Sequence, residues 1–377
     1  MPSGKPVGRV TPGIEISQQR SEDEKGNRFI QIVALAFSFI GSYWTARSFG
    51  FSRSASLVLS TVVAGICLRI ITCRSCQKKS LPLDKGKEEI LSATPRQNDW
   101  KTQIAILSEE KPYEALRRGT KLLAEEGEHL ADVRCPHYIS NILPGKDTVL
   151  QVEMHGVEAS VHANKIGDGI LKSSMVASAY PYYPEGFWDY VFQNPSTIFD
   201  LAPNRPNKDW ESPYLKLENI GDVFNFSIGQ DPQRRYNVFL IDFKDSLYTY
   251  EIENIATREK RQIKRYHYKD WPDRGIIKVE RLELLVQKVR ELCKEENTTP
   301  WVHCVGGIGR TGCLITARAL KELVETGEIT NENSDSMLVN LILAFRKQRA
   351  IFFVQNEVQF LFLKEYAKFL LSRLEDC

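Results

Sequence analysis

Trp301-Val-His-Cys-Val-Gly-Gly-Ile-Gly-Arg-Thr-Gly-Cys313 sets glycines at 306, 307 and 309 between Cys304 and Arg310. The flanking residues decide what this loop joins. Upstream, Thr298 to His303 is a short run with Trp301 and Val302 after Pro300, which suits a buried strand. Downstream, Thr311 to Glu325 carries Leu314, Ile315, Leu320, Leu323 and Val324 at helical spacing. The loop therefore connects a strand to the N-terminus of a helix. A helix start presents unpaired backbone N–H groups and a partial positive charge, and glycines let an anion approach that backbone closely. Arg310 falls in the first turn, where a planar guanidinium grips two oxyanion oxygens in a way lysine cannot. Cys304 sits at the base of this cradle, and the N–H groups, the helix dipole and the arginine all favour a thiolate there. A thiolate facing a phosphorus atom is a nucleophile.

The segment from His303 to Gly312 resembles the signature His-Cys-x-x-Gly-x-x-Arg-(Ser/Thr)-Gly of the cysteine-dependent protein tyrosine phosphatases. The resemblance implies an α/β fold, a twisted mixed sheet flanked by helices, over about residues 100–377. It implies that Cys304 attacks phosphorus while Arg310 and the backbone of Val305, Gly306, Gly307, Ile308 and Gly309 hold the phosphoryl oxygens. Thr311 is expected to stabilise the thiolate as it leaves. His303 is expected to orient the loop through hydrogen bonds rather than act as a base, and no metal or organic cofactor is implied.

A general acid is needed as well, because a tyrosyl oxygen leaves poorly as phenolate, and protonating it typically contributes 10²–10⁴-fold. His267-Tyr-Lys-Asp-Trp-Pro-Asp-Arg-Gly275 resembles the family's acid-bearing loop. By that resemblance Asp273 is the acid and then the base for the attacking water, with Trp271 and Pro272 as a stiff hinge and Gly275 as a permissive one. Phe345-Arg-Lys-Gln-Arg-Ala-Ile-Phe-Phe-Val-Gln-Asn-Glu-Val-Gln-Phe360 resembles the family's Arg-x-x-Arg and Val-Gln-x-x-x-Gln-Tyr segment, so Gln355 is expected to orient the water and Gln359 to assist. Tyr138-Ile-Ser-Asn-Ile-Leu-Pro144 is similar to the phosphotyrosine-recognition loop, but with one extra residue, so Tyr138 or Ile139 takes the wall position that deepens the cleft. Val161 to Lys165, Met175 to Pro181 and Phe187-Trp188 resemble scaffold elements of the family. The acidic loop that usually supports the arginine is not recognisable between Pro203 and Gly221.

Composition is compatible with this reading. The chain has 377 residues, 42% hydrophobic and 26% charged, with net charge +2, which gives no argument for nucleic acid. Eight cysteines at irregular spacing suit thiols in a reducing compartment better than a disulfide framework. Cys73-x-x-Cys76 is at most half a zinc site, since no second pair lies nearby.

The N-terminal quarter differs from the rest. Residues 1–28 are polar and rich in proline and glycine, which predicts no fixed structure. Phe29 to Ala46 and Ala55 to Cys73 are two apolar runs, each near the ~20 residues that cross a bilayer. Residues 29–73 thus predict a transmembrane helical hairpin that ties the chain to a membrane. Lys25 and Arg28 before it, and Arg74, Lys78, Lys79, Lys85 and Lys87 after it, put both ends and the catalytic domain in the cytosol. The paired apolar lobes loosely resemble the membrane-inserted effectors that intracellular bacteria place in the vacuole around them. Residues 74–99 form a polar linker with Pro82 and Pro95.

In the remainder, Tyr113 to Ala131 predicts an amphipathic helix. Val238 to Asp242 and Leu247 to Ile252 predict strands, and residues 278–296 and 335–347 predict further helices. The expected function is a membrane-tethered phosphatase acting on phosphotyrosine proteins through a cysteinyl-phosphate. A dual-specificity or lipid phosphatase, and a phosphotyrosine-binding membrane scaffold with little activity, are the alternatives.

Overall fold

The computed structural model describes residues 100–127, 142–154, 157–203 and 212–375. Strand β9 (Thr299–His303) is their axis. Trp301 and Val302 point to opposite faces and both are fully buried, which a strand tolerates only when both faces of its sheet are covered. β3 (Met175–Ser178) and β4 (Ser196–Asp200) flank it in parallel and are buried along their whole length. β8 (Lys260–His267) continues the parallel centre beside β4.

The outer strands are antiparallel: β1 (Val149–Met154) and β2 (Val157–Ile166) on one side, β5 (Val223–Ser227), β6 (Arg235–Lys244) and β7 (Leu247–Asn254) on the other. Among the described residues the sheet has the order β1-β2-β3-β9-β4-β8-β7-β6-β5. Asp245 and Ser246, at φ 50° and 67°, make the two-residue turn between β6 and β7, matching the twist of paired strands.

Helices cover the two faces unequally. α1 (Pro112–Glu126), α3 (Val279–Glu296), α4 (Arg310–Glu325), α5 (Ser334–Gln348) and α6 (Glu357–Glu375) share one core with Ala177, Phe199 and Val302. On the opposite face α2 (Pro184–Gln193) joins an aromatic core with Val176, Ile198 and Trp301, in which Phe187 stands edge-on to Trp301 at 5.1 Å. The predicted strands at 238–242 and 247–252 and the helices at 278–296, 311–325 and 335–347 are present, with ends shifted by up to three residues. The helix expected to reach Ala131 instead ends at Glu126, because Gly127 turns left-handed at φ 70°.

The polar tail 1–28, the apolar pair 29–73 with Cys73 and Cys76, the linker 74–99 and Tyr138 all lie outside the described residues. Among the described residues no helix is long and apolar enough to cross a membrane.

Candidate active site

β9 delivers Cys304 to the C-terminal end of the central parallel strands, and α4 begins six residues later at Arg310. Gly309, at the cap position of α4, offers no side chain to the free N–H groups, and Arg310 to Cys313 are buried. A buried helix start left without a capping side chain is fit for an anion. Cys304 is 3% exposed, and its Sγ already accepts the Gly307 N–H at 3.2 Å. Gly307 has φ 68°, and a Cβ there would overlap the Ser178 carbonyl at the end of β3. The loop is pinned from two more sides, by Tyr180 N–H to the Val305 carbonyl at 3.0 Å and Val354 N–H to the Ile308 carbonyl at 3.0 Å. The Thr311 hydroxyl is buried and makes no hydrogen bond among the described residues.

Arg310 is almost fully buried and brings the acid loop to the cysteine loop. Its Nη1 donates to the Trp271 carbonyl at 3.3 Å and its Nη2 to Asp273 Oδ1 at 2.9 Å. The Asp273 side chain is 74% exposed, so its carboxylate stands at the mouth of the site. Trp271, only 2% exposed, lies edge-on to Phe362 and donates from Nε1 to the Gly275 carbonyl at 3.2 Å. The Gly275 N–H returns to the Pro272 carbonyl at 3.2 Å. The loop is therefore a closed turn on a buried indole. Its left-handed residue is Arg274, at φ 53°, next to Gly275, the expected permissive hinge. Gly275 serves close packing instead, since a Cβ there would come within 2.9 Å of Pro272 Cβ.

Gln355 lies before α6 rather than within it. Val354 takes φ 58°, a rare conformation for a β-branched residue. Arg346 holds it there, donating to the carbonyls of Phe353 and Val354, both at 2.9 Å. This bend places Gln355 Oε1 and Gln359 Nε2 within 3.0 and 3.1 Å of where a Gly309 Cβ would be, directly against the cysteine loop. Gln359 Oε1 accepts the Gln355 N–H at 2.9 Å. Asn356, unremarked in the sequence, caps α6 through the Gln359 N–H at 2.9 Å and donates to the Arg274 carbonyl at 2.9 Å. The glutamine segment and the acid loop are thus joined.

His303 is fully buried and shares a 3.0 Å hydrogen bond with the Tyr214 hydroxyl through Nε2. Burial pushes its imidazole down to about 4, despite the opposing charge of Asp200, so it is neutral near pH 7. Asp200 Oδ1 lies 3.5 Å from His303 Nδ1. Burial pushes the Asp200 carboxyl up, but the attraction of His303, which acts only when that ring is protonated in acid, and the permanent charge of Arg265 outweigh it and hold the group below its ordinary range. Arg349, at the end of α5, is also fully buried and donates to Asn164 Oδ1 at 3.0 Å and the His162 carbonyl at 3.2 Å. Burial pushes its guanidinium down to about 10, against the attraction of Tyr183 and Cys304.

The structure therefore brings together Cys304, the 305–309 backbone, Arg310, Thr311, Trp271, Pro272, Asp273, His303, Gln355 and Gln359. Tyr138 falls outside the described residues, although Ile142 Cδ1, a few positions on, comes within 3.1 Å of a Gly306 Cβ position. No acidic support for Arg310 is seen among residues 212–221; its described partners are Asp273 and the Trp271 carbonyl. Sequence reading missed Asp200, Arg265 and Tyr214, and gave Arg349 no role beyond its place in the Arg-x-x-Arg resemblance. Asp200 had one signal, a carboxylate closing an apolar strand.

The protein-tyrosine phosphatase family model matches residues 139–368, and the chain belongs to that family. Among solved structures, it resembles the catalytic domain of human protein tyrosine phosphatase non-receptor type 18, at 22% identity and a TM-score of 0.54, over 69% of this chain and 95% of that one. It also resembles the Trypanosoma cruzi protein tyrosine phosphatase TcPTP1, at 21% and 0.52, over 71% and 95%. Curated relatives include receptor-type tyrosine-protein phosphatase F of Mus musculus, 23% identical over 263 residues, and receptor-type tyrosine-protein phosphatase eta of Homo sapiens, 25% over 250. These matches span 67% and 63% of this chain but 13% and 17% of those much longer proteins.

Proposed function

We propose that this protein hydrolyses phosphotyrosine in proteins through a cysteinyl-phosphate. The observation that carries the reading is a cysteine sulfur at a buried helix start without a capping side chain, with Arg310 tying that helix to the exposed carboxylate of Asp273. The non-receptor type 18 phosphatase in complex with HER2 phosphopeptides is consistent with the substrate class.

In this mechanism the incoming phosphoryl dianion takes the Arg310 N–H now held by Asp273, and the backbone N–H groups of residues 305–310 bind its remaining oxygens. Cys304 Sγ attacks phosphorus, the bond to the tyrosyl oxygen breaks, and Asp273 gives its proton to that oxygen. Gln355, assisted by Gln359, then positions a water, whose proton passes to Asp273 as its oxygen displaces sulfur. The Thr311 hydroxyl, free of other hydrogen bonds among the described residues, donates to the departing thiolate. His303, neutral and fixed by Tyr214, holds the loop without exchanging protons.

The test is turnover of matched phosphotyrosine and phosphoserine peptides by the reduced full-length chain. Release of phosphate from the phosphotyrosine peptide alone, abolished in Cys304→Ser, is the expected result. No turnover with Cys304 intact overturns the reading, and equal efficiency on both peptides moves it to a dual-specificity phosphatase.

Residues 29–73 extend the proposal to a membrane tether, supported by the two apolar runs and their basic flanks. The effector resemblance points to a vacuole membrane with the catalytic domain on the cytosolic side. Deletion of 29–73 is expected to move the protein from the membrane to the soluble fraction; retention in the membrane overturns the tether.

A further inference from the structure

Behind the cysteine loop lies a row of ionisable groups of which the mechanism uses only His303. The strand register sets His303 on β9, Asp200 on β4 and His267 on β8 side by side. Asp200 is 1% exposed and occupies the middle, 3.5 Å from His303 Nδ1 and 3.9 Å from His267 Nε2. Its second oxygen, Oδ2, accepts both Nε and Nη2 of Arg265, at 3.1 and 2.5 Å. Oδ1 accepts the Ala202 N–H at 2.9 Å. The Arg265 guanidinium lies between the rings of Tyr214, 3.8 Å from its centroid, and Tyr248, at 4.7 Å. Tyr214 in turn bonds His303. The pair therefore meets the residue next to Cys304 in two ways: the carboxylate faces His303 Nδ1 at 3.5 Å as a charge without a hydrogen bond, and Tyr214 bonds Nε2.

Burying such a pair seldom gains stability over apolar residues of similar volume, but removing one partner leaves a charge that water cannot reach. An uncompensated carboxylate beside His303 opposes the Cys304 thiolate. An uncompensated guanidinium favours the thiolate but weakens it as a nucleophile, since nucleophilicity falls with basicity. We propose that the Asp200–Arg265 pair is a charge-balanced support of the cysteine loop: the carboxylate positions His303, and the guanidinium cancels the carboxylate's field at Cys304. Both are positioning residues; neither touches the phosphoryl group.

Other groups bear on the same sulfur. Around Cys304 these are Arg310 with Asp273, Arg349 at the end of α5, Cys313 in α4 and His303 itself. Around Asp200 they are Arg265, His267, His303, Tyr180, Tyr214 and Tyr250. Arg265→Gln alone is a poor probe, because the stranded carboxylate can be neutralised by a proton on His303 or His267. Asp200→Asn is a good one, because arginine does not give up its proton.

The inference rests on Cys304 being the nucleophile, but its test reads thiol chemistry without any turnover. Iodoacetate alkylation of Cys304 is followed against pH by mass spectrometry in the full-length protein. In Asp200→Asn, a lone guanidinium two strand spacings of ~4.8 Å from β9 is expected to lower the midpoint by about one pH unit. In Asp200→Asn combined with Arg265→Gln the midpoint returns to the native value. A midpoint in Asp200→Asn that stays or rises overturns the proposal, and so does a double variant that keeps the single variant's shift. If Asp200→Asn does not fold, the neutral double variant decides. A folded double variant with the native midpoint supports charge balance. A double variant with a displaced midpoint, or one that fails to fold, shows a packing role and overturns it.

Discussion

Asp273 and Gln355 make separable contributions at the level of single side chains. Asp273 meets Arg310 only through an exposed carboxylate, so Asp273→Asn keeps the loop and removes the proposed proton donor. Its kcat on a phosphotyrosine peptide is expected to fall by 10²–10⁴-fold, and much less on an aryl phosphate whose leaving group needs no proton. Steady-state assays on the two substrates check this. Gln355 lies against Gly309, where the proposed mechanism places the second step. Gln355→Ala is expected to slow release of phosphate from sulfur more than the attack, so that a burst and trapped phosphocysteine are seen in rapid-quench experiments.

Elements meet here through glycine and asparagine as much as through apolar packing. Gly307 combines a left-handed backbone with direct contact on the end of β3, so Gly307→Ala incurs strain and overlap together. A loss of about 3 kcal/mol in urea melts, with loss of turnover, is the expected outcome. Asn356 caps α6 and also holds the Arg274 carbonyl, so it couples the glutamine segment to the acid loop. Asn356→Ala is expected to lower stability by about 1 kcal/mol, as for a lost cap. A drop in kcat beyond that of an exposed cap variant elsewhere, compared in the same assay, marks the coupling.

For the whole molecule, the buried histidines set the response to acid. Burial pushes His303 down to about 4 and His162, with the charge of Arg349 adding to it, down to about 3; His267 is lowered in the same direction. The unfolded chain takes up protons on these rings below about pH 6.5 while the folded chain does not. Their contribution is therefore complete above that pH and is lost as pH falls, for His303 and His162 at roughly 1.4 kcal/mol per unit toward pH 4, with His267 acting in the same direction. The urea midpoint at pH 5 is expected to lie well below that at pH 7.5. Equal midpoints contradict the sign.

The sequence by itself determined what is contiguous: the strand, loop and helix around Cys304, the Trp271-Pro272-Asp273 turn, and, among the described residues, four of the six α-helices but only three of the nine strands. Thirteen neighbouring residues carry the anion cradle because glycine spacing and a helix start are local properties. Only the tertiary structure decided what converges. Arg310 reaches Asp273 across 37 positions and Arg265 reaches Asp200 across 65. Neither partnership has a local signal, because the sheet order, not chain distance, makes β9, β4 and β8 neighbours. The left-handed Arg274 and Val354 were equally hidden, since neither residue type prefers that backbone. Each is held there by packing and by hydrogen bonds from Asn356 and Arg346, which exist only once the chain has folded.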